Sequence, residues 1–96
     1  MTTLRRAIVV CRSGVDSEEI ERLVRVHSLR VLYTVYTDTG PELAARIAVQ
    51  HALDFAADVV LIPHIDGPEV QDTRAWQAIT WVADLVTATG TFDGGP

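Results

Sequence analysis

The sequence predicts a three-layer α/β/α domain built on a short parallel sheet with a flavodoxin-like strand order, and three features carry that prediction. Two runs, Ala7-Ile8-Val9-Val10-Cys11 and Asp58-Val59-Val60-Leu61-Ile62-Pro63, are apolar at successive positions, as strands covered on both faces of a parallel sheet are. A third run, Leu29 to Thr37, mixes Val31, Tyr33 and Val35 with Arg30, Thr34 and Tyr36, so one face is more polar and the strand suits an edge. Segments with helical spacing of apolar residues separate the runs, giving the order β-α-β-α-β-α. Right-handed crossovers, with the two doubly apolar strands inside, yield the strand order 2-1-3. Thr91-Phe92 allow a short fourth strand. The 96 residues make a single domain, with its core over about residues 7–90 and a tail at 91–96.

The connections follow in order. Ser13-Gly14-Val15-Asp16 turns the chain after the first strand, and Asp16 followed by Glu19 has the pattern of a capping box, in which each side chain satisfies a free N–H at a helix start. Ile20, Leu23, Val24 and His27 then recur at helical spacing. After the edge strand, Asp38-Thr39-Gly40 turns, and Pro41 stands at a first helical position, where its missing N–H is no loss. The second helix runs from Glu42 to about Ala57 and bears Leu43, Ile47, Leu53 and Phe55. His64 to Gln71 reads as a loop around Asp66-Gly67-Pro68, and a third helix runs from Asp72 or Thr73 to a stop at Gly90.

That third helix is too apolar for a helix lying on one sheet. Between Ala75 and Val86 only Gln77, Thr80, Asp84 and Thr87 nearby leave a polar strip, whereas one packed face needs a stripe of roughly 100°. Trp76, Trp81 and Leu85 are therefore expected at an interface with a second copy or a partner protein, unless the tail folds over the tryptophans.

Composition excludes several classes of function. An apolar share of 48% supports a packed core, and no run of about eighteen apolar residues is present to span a membrane. The net charge is −5, and the arginines at 22 and 25 are interleaved with Glu18, Glu19 and Glu21, so no basic stripe is available for nucleic acid in this domain alone. The single cysteine, Cys11, allows no internal disulfide and fits a reducing, cytoplasmic compartment. On a central strand it reads as buried packing, although Arg12 beside it would favour the thiolate.

With its strands placed, the chain resembles the N-terminal catalytic domain of the serine recombinases, the resolvase/invertase family, from about Ile8 to Gly90. Val9, Cys11 and Ser13 stand where that family reads Tyr-x-Arg-x-Ser, and Asp38-Thr39-Gly40 where it has a turn often containing Ser-Gly. The stretch from Val49 to Asp66 follows the family's helix and strand, with Asp66 at the family's aspartate. The resemblance implies a resolvase-like fold, with Ser13 as nucleophile and Asp66 as its companion in the family's chemistry. The cations needed to stabilise a developing phosphoryl charge do not match: Cys11 replaces the arginine before the serine, and Gly67 and Val70 replace those flanking the aspartate. Arg12 is one residue out of register, on the opposite face of a strand.

Open α/β sheets bind ligands at the carboxyl ends of their strands. Arg12, Ser13, Asp38, Thr39, His64 and Asp66 all fall there, as either a small-anion site or ordinary turn residues. His64 and Asp66 lack a third metal ligand at suitable spacing, and no cofactor is implied. The functional expectation is a non-catalytic, resolvase-like domain acting through protein contacts as a homodimer. The alternative is a residual enzyme or ligand binder using Ser13 and Asp66.

Overall fold

In the computed structural model, which describes residues 3–94, nine elements form a single α/β unit. They are β1 (Arg5–Cys11), α1 (Ser17–Val26), β2 (Leu29–Tyr36), α2 (Pro41–Asp54), β3 (Val59–Ile62), α3 (Gly67–Asp72), α4 (Arg74–Ile79), β4 (Asp84–Thr87) and β5 (Thr91–Phe92). The sheet order is β2-β1-β3-β4-β5, so the expected 2-1-3 arrangement lies inside a wider sheet. β1 pairs in parallel with β2 and β3, and β3 in parallel with β4. β5 alone is antiparallel, joined to β4 by a tight turn. No helix among the described residues is long and apolar enough to cross a membrane.

The layers follow from alternation along the inner strands. Ala7, Val9 and Cys11 of β1 meet Leu23 of α1, with Ile20 and Val24 packed alongside. Ile8 and Val10 face the other way, toward Ala44, Ala45, Ala48 and Ala52 of α2 and toward Trp76 and Ile79 of α4. The chain leaves β1 on one side to reach β2 and returns past it to β3, which sends successive crossover helices to opposite faces. Helix α1 thus lies on one face and α2, α3 and α4 on the other.

Local chemistry places the helix starts. The Asp16 carboxylate accepts from the Glu18 N–H at 2.9 Å, and Pro41 opens α2. The reciprocal half of the expected capping box is not made. Glu19 instead binds the Arg22 guanidinium at 2.6 and 2.9 Å, an i, i+3 pair one turn along the same helix.

Two expectations are corrected. The loop at 64–71 contains α3, whose start is capped by Asp66 accepting from the Glu69 N–H at 2.9 Å. The long third helix does not exist: its first turns are α4, and Asp84-Leu85-Val86-Thr87 is a central strand. The excess apolar surface is therefore satisfied within the chain. Trp76 and Leu85, expected at an interface, are buried in the core, and only Trp81 of that trio stands in solvent, 80% exposed. Thr91-Phe92 do form a strand, and Phe92 packs against the core, so the tail covers part of the α4 side.

Helix α2 has the opposite orientation to the one its large residues suggest. Its sheet-facing side is the alanine series 44, 45, 48 and 52, while Leu43, Leu53 and the following Phe55 are exposed. Small residues let the helix axis approach the sheet closely, and that leaves the leucines outside.

Candidate functional site

The carboxyl edge of the sheet is where the predicted polar residues gather. The order of the chain reverses between β1 and β3, so the loops after these two strands flank the crevice in which open α/β sheets hold ligands. Arg12 and Ser13 leave β1 there, and His64 leaves β3. Asp38, from the loop after β2, reaches across to Ser13. One carboxylate oxygen accepts the Ser13 backbone N–H at 3.1 Å, and the other accepts the Ser13 hydroxyl. These two donors hold the Asp38 carboxyl below its ordinary range, with a smaller contribution from the Arg12 charge.

The remaining candidates are engaged differently. Thr39 turns inward on its own loop, sharing a 2.9 Å hydrogen bond with the Thr37 hydroxyl. Asp66 caps α3 and so serves helix formation. The next loop is tied in as well: the Gly67 N–H donates to the Thr89 hydroxyl at 3.1 Å, and the Ala88 N–H to the Ile65 carbonyl at 3.3 Å.

His64 is the least satisfied polar group at this edge. Its Nδ1 atom is buried without a hydrogen-bond partner, and its ring meets Trp76 edge-on with centroids 6.1 Å apart. Burial depresses its basicity, Arg12 depresses it further, and Glu69 opposes both. Glu69 also accepts the Trp76 indole N–H at 3.0 Å, which fixes the tryptophan behind the crevice. Arg12 itself is exposed and in no ion pair among the described residues. Cys11 is fully buried; its thiol lies against the Val35 carbonyl at 3.6 Å, and desolvation pushes its pKa up. The thiolate favoured by a neighbouring arginine is thus overruled by burial.

A second region contains Trp81, which the sequence placed at an interface, but its α2 side was not singled out by the sequence. Between α2 and α4 lies a groove of about 580 Å³, floored by Ala45, Ala75 and Ala78 and walled by Val49, Val82 and the exposed Trp81. Glu42, Arg46 and Gln50 form its polar rim at successive turns of α2. Leu43 and Leu53 stand outside this rim at 50% and 60% exposure. Elsewhere on α2, Tyr33 of β2 stacks on both His51 and Phe55, with ring centroids 5.4 Å apart. The readable signal was the i, i+4, i+8 alanine spacing at 44, 48 and 52, which marks the buried side and by elimination the exposed one.

No metal-ligating group of three or more His, Cys, Asp or Glu residues occurs among the described residues. No family model matches the chain, and neither a curated protein nor a solved structure matches it.

Proposed function

We propose that this domain works through protein contacts, as a non-catalytic module that self-associates through its α2–α4 face. One observation carries the reading: Trp81, 80% exposed, lines an apolar groove between α2 and α4. Large apolar side chains clustered in this way mark interaction surfaces on monomeric folds, and aromatic anchors dominate interface energetics. The polar edge supports the non-catalytic part. Asp66, the expected companion of Ser13, is committed to a helix cap instead of to the serine. The similarity to serine recombinases is carried into this reading as a kinship of pattern without the family's phosphoryl chemistry.

The test uses the two tryptophans, of which Trp76 is buried and only Trp81 is open to a quencher. Light scattering on the full chain is expected to show a dimer whose formation protects Trp81 from iodide, and Trp81→Glu is expected to give a monomer. A chain that scatters as a monomer at every concentration, with Trp81 equally quenched throughout, would sink the reading.

A second reading rests on the unpartnered His64 Nδ1 and the unpaired Arg12 at the reversal point of the sheet: a weak site for a small oxyanion. Inorganic phosphate would then raise the melting temperature of the wild type but not of Arg12→Ala. Equal melting curves with and without phosphate would end it.

A further inference from the structure

The two helical faces of this molecule differ in a way that points to one occupant. Helix α1 turns a charged surface outward, with Glu18, Glu21, Arg22 and Arg25 exposed, and it needs no cover. Helix α2 buries alanines against the sheet and holds Leu43 and Leu53 in solvent among Glu42, Arg46, Gln50 and Asp54. Two exposed leucines on one helix are apolar surface that association would cover. The chain as a whole has a net charge of −5, which opposes association with a copy of itself. The charged residues of the α2–α4 face are nevertheless balanced, with Glu42 and Asp54 set against Arg46 and Arg74. Glu42 and Arg46 enter no ion pair among the described residues.

Their spacing is self-complementary. An isologous contact brings the same patch of two copies together, so that if one residue meets a second, the second meets the first. Glu42 and Arg46 lie one helical turn apart at the groove side of α2, and Leu43 is exposed to one side of them. Two α2 helices laid antiparallel about a two-fold axis midway between Glu42 and Arg46 set each glutamate against the arginine of the other copy. A parallel arrangement would oppose like charges. The competing route to a dimer, edge-to-edge pairing of β2, is blunted by the strand itself: its register against β1 slips between Ala7 and Ile8, leaving Leu32 as an extra residue in a bulge.

Resting on the reading of this face as a protein-contact surface, we propose that its occupant is a second copy of this chain, seated about a two-fold axis that pairs antiparallel α2 helices and exchanges Glu42–Arg46 contacts. Leu43 and Trp81 flank this contact.

Charge exchange tests the arrangement. Arg46→Glu and Glu42→Arg each turn the rim to a single sign, and each is expected to weaken self-association by about tenfold or more, the effect of opposed like charges at an interface. Mixing the two variants is expected to restore association as a heterodimer, and the double variant E42R/R46E to restore the homodimer, both read by sedimentation velocity of the full chain. Single variants that associate as the wild type does, or a mixture no better than either variant alone, overturn the arrangement. If Leu43→Asp and Trp81→Glu still give monomers in that case, the face is right and only the pairing of helices is wrong. If the dimer survives those two changes as well, the reading of this face has failed with it. All of these residues are exposed, so circular dichroism is expected to show an unchanged fold for each variant.

Discussion

Ser13 and Asp38 show how a residue that looks like a nucleophile also ties two loops together. They come from loops after adjacent strands, and the carboxylate takes both the N–H and the O–H of the serine. Because the folded state holds Asp38 below its ordinary pKa, the contact stabilises the fold above the unfolded value of about 3.9 and is lost as pH falls through the folded value. Asp38→Ala is therefore expected to lower the melting temperature near neutrality and to make no difference in strong acid, measured by thermal melts across pH. His64 has the same sign by a different route. Its folded pKa lies below the ordinary value, so the unfolded chain takes up a proton first and stability falls as pH drops through about 6.5. His64→Gln is expected to flatten that slope relative to the wild type, and an unchanged slope would show that another group produces it.

At the level of elements, the segment 74–87 is where sequence and structure part. A short, continuously apolar run has no period to distinguish a buried strand from a buried helix. Here Leu85, Val86 and Thr87 form a strand because β3 offers an open edge: Val59 to Ile62 pair with Asp84 to Thr87. A local hint existed, since Ala57-Asp58-Val59-Val60 is echoed by Ala83-Asp84-Leu85-Val86. Asp58 directly precedes β3 and Asp84 opens β4 opposite Val59, and the Asp84 N–H donates to the Asp58 carbonyl at 3.0 Å. Substitutions can separate a strand in the core from a helix at an interface. Leu85→Ala should cost about 2–5 kcal/mol and Trp76→Ala about 3–5 kcal/mol in chemical denaturation. Trp81→Ala, at a solvent-exposed site, should change monomer stability by no more than about 0.5 kcal/mol. The closing turn supplies a second contrast. A Cβ at Gly94 would strike the Ala83 backbone carbonyl, whereas one at Gly90 meets nothing nearby. Gly94→Ala is expected to destabilise by about 1–3 kcal/mol, the range for overpacking, and Gly90→Ala to be close to neutral.

For the whole molecule, the asymmetry between the two helical layers matters most. One helix covers the α1 face and turns charge outward; three helices share the other face, where the α2–α4 groove and the exposed Trp81, Leu43 and Leu53 add apolar surface among the charges. Self-association through that face, as proposed, would add stability by mass action, since only the folded chain presents it. The melting temperature of the wild type should therefore rise with protein concentration, and that of Trp81→Glu should not. Scanning calorimetry over a hundredfold dilution series separates the two outcomes.

Sequence by itself determined three parallel strands, their 2-1-3 order, the edge position of β2 and the starts of α1 and α2. Each of these depends on a pattern within a few residues: a doubly apolar run, an alternation, Asp16 as a cap, Pro41 at a first turn. Tertiary structure decided what depends on neighbours distant in the chain. It made a strand of residues 84–87 by lending them the edge of β3, joined Ser13 to Asp38 across two loops, and turned the alanines of α2 inward and its leucines out. Periodicity is a local property, whereas the side of a helix that is buried is chosen by how closely the sheet beneath allows it to approach.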